Sequence, residues 1–275
     1  MTTQQQLKAI KDMINIGKLV PLEDTCIKRK TEADRTIEYL LKNSNRMHFD
    51  PIKGYYELVE FEDAKGDRYI INLKDTETAK KLSDILYNAN RTSTRNNDDT
   101  INDILNNKTS NGYFNIYFYA DFSKKPILVS LHRLIFLMTA DINVIDLTIN
   151  YKTKGYMSYH LNHLAGLEII NQPGKRYNRE NIWELRPNPN YAGLMVHPKN
   201  MEICTSQQNN FHQTTLKENK KYLLDIPRRI TFADANVLKS KIDIWKEVGC
   251  TDEQIIELVD SYFKSQGKEP RLVLA

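Results

Sequence analysis

Two stretches decide how this chain reads. They are Tyr159-His160-Leu161-Asn162-His163-Leu164-Ala165-Gly166 and Lys199-Asn200-Met201-Glu202-Ile203-Cys204-Thr205-Ser206-Gln207-Gln208-Asn209-Asn210-Phe211-His212. Met157 to His163 reads as a strand that ends on an Asn-His pair. The second stretch reads as a short strand turning into a helix, which carries Asn209 and, three residues on, His212 on the same face. A neutral imidazole titrates near neutrality and can take a proton at cellular pH. Amide oxygens beside it can hold a hard cation, and the two together are what phosphodiester hydrolysis needs. His160 shares a strand face with Asn162 by period two. It is a spare candidate, as is His197.

Working outward, Tyr113 to Tyr119 alternates as a strand, Ser123-Lys124-Lys125 turns it, Ile127 to Leu131 returns, and His132 to Thr139 reads as a helix. Leu167 to Val196 reads as an irregular insertion whose Lys175, Arg176, Arg179 and Arg186 are placed to touch a DNA backbone. Beyond His212 lies a basic cluster of Lys217, Lys220, Lys221, Arg228 and Arg229. Two helices follow. One starts after Thr231 or Asp234, carries Val237, Leu238, Ile242, Trp245 and Val248, and ends at Gly249. The other starts at Thr251 with Gln254 three residues on, a capping-box pattern, and buries Ile255, Ile256, Leu258, Val259 and Phe263. Toward the N-terminus, Thr3 to Ile16 and Thr76 to Tyr87 have helical periods. A helix capped by Thr31 runs to Asn43, and Tyr55–Phe61 with Arg68–Leu73 reads as a hairpin around Ala64-Lys65-Gly66-Asp67. Asn88 to Asn111, rich in Asn, Thr, Ser and Asp, reads as a linker.

The fold class is therefore α+β. The division expected is an N-terminal accessory α+β region over 1–88, a linker over 89–111, a core over 112–215 with an insertion near 167–196, and a basic segment with a helical pair over 216–275. At 275 residues with 40% apolar and 27% charged side chains, a packed globular protein is expected rather than a disordered one. A net charge of +4 permits a nucleic-acid partner without requiring one. Cys26, Cys204 and Cys250 are too few and too scattered for a disulfide framework or a zinc site. Met1 to Gln6 lacks the basic and apolar regions of a secretory leader, and the apolar run from Leu131 to Ala140 is too short to span a bilayer. A reducing cytosol is expected.

Just upstream of the first stretch stands Val129-Ser130-Leu131-His132-Arg133-Leu134-Ile135-Phe136. These three pieces, in this order, resemble the HNH homing endonucleases of phages and mobile introns. The resemblance covers Gly112 to Thr215 and is specific by combination rather than by any one piece. It implies a ββα-metal core, two strands and a helix around one divalent ion, Mg²⁺ with Mn²⁺ able to substitute. It implies that His163 is the general base, that Asn162 and Asn209 hold the ion, and that His212 touches the scissile phosphate or the ion's surroundings. His132 would buttress the fold, and Asn200 would tie the strand to the loop before it. The implied activity is site-specific cleavage of double-stranded DNA, one strand at a time for a monomer, leaving a 5′ phosphate and a 3′ hydroxyl. The implied setting is the cytoplasm of a bacterial or phage-infected cell.

Each of these residues also has a plainer reading. A histidine at a strand end can simply bond backbone, Asn caps turns and helices, His212 can pack, and a lysine run can be a solvated surface. Two departures matter. The family often carries an acid two residues after its base, where this chain has Ala165, and the stretch from His163 to Asn209 is long. A catalytically inactive DNA-binding protein or regulator that keeps the HNH fold is the alternative reading. A protein with no nucleic-acid role ranks below both.

Overall fold

The computed structural model describes residues 8, 31–73, 90–92, 113–140, 159–172, 182–188, 195–223 and 229–268. The first element, helix α1 (Glu32–Lys42), begins where Thr31 Oγ1 accepts the Asp34 N–H and the Asp34 carboxylate accepts the Thr31 N–H. Asp34 also pairs with Arg133 at 3.0 Å, so the carboxylate that caps α1 ties it to the helix from the second half of the chain. Strands β1 (Ser44–Asp50), β2 (Tyr55–Glu62), β3 (Arg68–Asn72) and β4 (Asn90–Thr92) pair in order as an antiparallel sheet. The β2–β3 turn needs Gly66, whose φ of +81° is a left-handed conformation. Asp63 holds that turn by accepting the Lys65 and Asp67 N–H groups. It also reaches across to accept the Tyr119 N–H at 3.3 Å.

β5 (Asn115–Phe118) and β6 (Ile127–Ser130) form a hairpin that leads into α2 (Leu131–Thr139). Seven of the nine α2 residues are buried, so this helix is apolar on nearly every side and runs through the core rather than over it. The core joins Ile37 and Leu40 of α1, Val59 and Ile71 of the sheet, Phe118 and Val129 of the hairpin, and Met201 and Ile203 further on. The stretches on either side of the expected 89–111 boundary thus share one core. Phe136 has no exposed surface. Phe136→Ala is expected to cost about 3–5 kcal/mol in a urea titration, as a buried aromatic cavity does. A loss under about 1 kcal/mol would mean that α2 is not central.

Beyond α2 come β7 (Tyr159–His163), β8 (Leu167–Gln172), β9 (Ile182–Pro187), a 3₁₀ turn at Pro198–Asn200, β10 (Met201–Thr205) and α3 (Ser206–Glu218). The short α4 (Lys220–Leu223) precedes the helical pair α5 (Phe232–Glu247) and α6 (Asp252–Ser265). Both helices of that pair open on capping boxes, at Thr231 with Asp234 and at Thr251 with Gln254. They build a second core from Leu238, Ile242, Ile255, Val259 and Phe263 with Leu216 of α3, and Leu185 packs against both cores.

Three readings are corrected. Leu167 to Val196 is not all irregular, because β8 and β9 pair from Leu167↔Pro187 to Gln172↔Ile182. Ser44 to Asp50, unassigned from sequence, is β1, and Asn90–Thr92 inside the expected linker pairs with β3. Val237 and Val248, placed with the apolar residues of α5, are exposed at 40% and 70%. The helix expected over 76–87, and all but Lys8 of the one expected over 3–16, lie outside the described residues.

Candidate active site on the β7–β10 ribbon

β7 and β10 pair antiparallel, with His163 opposite Met201, Asn162 opposite Glu202, and His160 opposite Cys204. β10 runs directly into α3, where Thr205 caps the helix through the Gln208 N–H and Gln208 returns a bond to the Thr205 N–H. The order strand, strand, helix is the one expected from sequence. Alternation gives the ribbon two faces. His160, Asn162, Glu202 and Cys204 share one. Leu161, His163, Met201 and Ile203 share the other, which looks into the main core.

On the α3 face the parts interlock. Asn209, in the second turn of α3, lies with Nδ2 3.2 Å from His160 Nδ1. An amide nitrogen only donates, so His160 Nδ1 accepts and the neutral ring carries its proton on Nε2. Burial, with Arg133 nearby, keeps His160 below its usual range and hence neutral at pH 7. Asn162, 3% exposed, donates Nδ2–H to Glu202 Oε1 at 2.7 Å. The same oxygen accepts the Phe232 N–H at 2.7 Å, the first amide of α5. Burial raises the Glu202 carboxyl, and these two bonds partly offset it.

On the other face, His163 is 5% exposed and its Nε2 stands 3.0 Å from the Met195 carbonyl. A carbonyl only accepts, so Nε2 holds the proton and Nδ1 the lone pair. The ring packs against His132 at 5.3 Å and Tyr113 at 5.5 Å. Burial pushes His163 down to about 4. Burial, then its neighbours His163 and Arg133, pushes His132 down to about 3. His132 therefore buttresses the expected base directly, ring against ring.

Asn200 makes a tie, with a partner different from the one expected. Its Nδ2 donates to the Ala165 carbonyl across the ribbon, and its own carbonyl accepts the Leu164 N–H. It thereby clamps the turn after β7, where Gly166 takes a φ of +78°. His212 is fully buried, and its Nε2–H donates to the Ile230 carbonyl at 2.9 Å while Ile230 N–H bonds Leu164. That histidine pins the segment before α5, and burial pushes it down to about 4. His197 is buried against Tyr55, and its Nδ1 accepts the Lys199 N–H.

The expected DNA contacts divide. Lys217 is half-buried, and Lys220 and Lys221 are exposed, with Lys221 paired to Asp252. Arg229 turns inward, donating to the Lys199 carbonyl with Glu202 close by, so it serves the fold rather than the surface. Lys175, Arg176, Arg179 and Arg228 lie outside the described residues.

Among the described residues no three His, Cys, Asp or Glu side chains gather as a metal-binding group. The donors on the α3 face are amides instead. Asn162 and Asn209 each commit the nitrogen to a protein acceptor, which turns the carbonyl oxygen of each toward other partners. Oxygen donors of this kind fit a weakly held hard cation that takes the rest of its shell from water and phosphate. Glu202 is the residue that sequence reading missed. Its signal was register, since pairing the two strands end to end sets a carboxylate opposite Asn162. No helix among the described residues is long and apolar enough to cross a membrane. No protein-family model, curated protein or solved structure matches the chain.

Proposed function

We propose that this protein is a metal-dependent DNA endonuclease of the HNH type, cutting one strand at a defined site. The observation that carries this reading is the β7–β10 ribbon running straight into α3 with Asn209 hydrogen-bonded to His160 and Asn162 two residues from it. β10 pairs with one edge of β7, and in this reading the phosphodiester crosses the ribbon at its Asn162–His163 end. His163 then takes the proton of the attacking water on Nδ1, because Nε2–H is committed to Met195. His160 holds a phosphate oxygen through Nε2–H, its ring fixed by Asn209. Asn162 and Asn209 would hold the divalent ion, which when bound offsets charge on the phosphate oxygens. Lys217 in the last turn of α3 and Lys220 just beyond it supply backbone contacts, so binding weakens steeply as salt rises.

The test is a map of new DNA ends. Purified protein is incubated with candidate target DNA in Mg²⁺, Mn²⁺ or EDTA, and the ends are sequenced. Ends at one position, carrying 5′ phosphate and present only with metal, are expected. Tight, salt-sensitive binding without cleavage on any DNA would point instead to an inactive binder on the same scaffold. Absence of salt-sensitive binding would end the nucleic-acid reading.

A further inference from the structure

We propose that Glu202 is a positioning residue: it orients the Asn162 amide and ties that amide to the first turn of α5. The inference rests on the reading of Asn162 as an ion ligand, and it deepens that reading. A free asparagine amide rotates and presents nitrogen or oxygen with little preference. Here one carboxylate oxygen accepts both Asn162 Nδ2–H and the Phe232 N–H, each at 2.7 Å. With the nitrogen held, Asn162 presents Oδ1. The carboxylate itself is 9% exposed and sits at the N-terminus of α5, where a helix favours negative charge. Arg229, turned inward beside it, adds a positive neighbour. The first turn of α5 thus shares a hydrogen-bonding group with the α3 face of the ribbon. An outer partner of this type typically changes metal affinity by 10–100-fold when it is removed.

The experiment reads the ligand without requiring cleavage. Mn²⁺ is titrated into ¹⁵N-labelled protein, and paramagnetic broadening of the Asn162 and Asn209 side-chain NH₂ signals is followed. In the wild type both broaden over the same concentration range. In Glu202→Ala both signals should need at least about tenfold more Mn²⁺, because one ion is shared by the two side chains. Glu202→Gln keeps an oxygen able to accept both bonds, so it should behave as the wild type. It also serves as the folded comparison if the alanine variant is unstable. Unchanged Asn162 broadening in Glu202→Ala would overturn the proposal. So would a tenfold loss in Glu202→Gln, which would make the charged carboxylate itself a ligand. Wild-type signals that Mn²⁺ leaves untouched would sink the ion reading and this proposal with it.

Discussion

His163→Ala should lower the cleavage rate by roughly 10²- to 10⁴-fold, the range for loss of a positioned general base, and leave DNA affinity nearly unchanged. The imidazole is fixed by the Met195 carbonyl on one nitrogen and packed against the Tyr113 and His132 rings, so it is held with the lone pair on Nδ1. A merely structural histidine would behave differently, since its loss would lower the melting temperature and leave the rate of the folded fraction intact. His160→Ala is the companion variant. Its ring contacts phosphate rather than water in this reading, so it should raise KM as well as lower kcat. The pH profile separates the alternatives further. A base held near 4 is unprotonated across the physiological range, and protonation removes activity only as pH falls toward that value. The rate of the folded fraction should therefore stay level from pH 8 down to about 5.5, whereas a base with the ordinary histidine value would lose half its activity near 6.5. Equal rates for wild type and His163→Ala would reject the assignment outright.

What the sequence made legible, and what it hid, follows from the range of the forces involved. α1, α5 and α6 were readable because their starts are set locally: Thr31, Thr231 and Thr251 each bond an amide three residues on. The β2–β3 hairpin was readable for the same reason, since its turn is closed by Asp63 and Gly66. β8 and β9 were missed because their cues are weak. Leu167–Gln172 and Ile182–Pro187 are interrupted by Glu, Asn and Pro, and each strand is specified by the other. Val248 was misplaced because helical spacing identifies a stripe without saying where the packed stripe ends.

At the site, the residues that form the ribbon and the helix were legible, while their partners were not. Nothing local in Asn162 names Glu202, forty positions away, and nothing in Arg229 says that it turns inward to the Lys199 carbonyl. Two-faced strands also hide which neighbours act together. Asn162 and His163 are adjacent in sequence and look to opposite sides of the ribbon, so a single motif draws on both the core and the helix face. The spare candidate His160 lies nearer Asn209 than sequence order suggested, because α3 folds back along the strand.

The second large effect concerns stability. Lowering pH from 7.5 to 5 should unfold the protein or bring it close to unfolding, well before general acid denaturation of its carboxylates. Four buried histidines are neutral in the fold: His132 at about 3, His163 and His212 at about 4, and His197 well below its usual value, all chiefly through burial. In the unfolded chain each returns to about 6.5. The folded value is the lower one, so the unfolded state binds more protons between the two. This stability is complete above about pH 6.5 and is lost as pH falls toward 4. Each such group contributes up to about 1.4 kcal/mol per pH unit in that window. Four together approach about 5 kcal/mol per unit, against a total of about 5–15 kcal/mol for a domain. His132 and His163 are in contact and titrate as a pair, which softens the slope at its acid end. Glu202 acts in the opposite sense, its raised value favouring the fold in acid, but it is one group against four. Urea titrations at pH 7.5, 6.5 and 5.5 would show the fall directly. His212→Gln, whose amide can still donate to the Ile230 carbonyl without titrating, should shift the acid midpoint downward and remove about one proton from the slope. Stability constant to within about 1 kcal/mol over that interval would mean that these histidines carry ordinary values and are not buried as described.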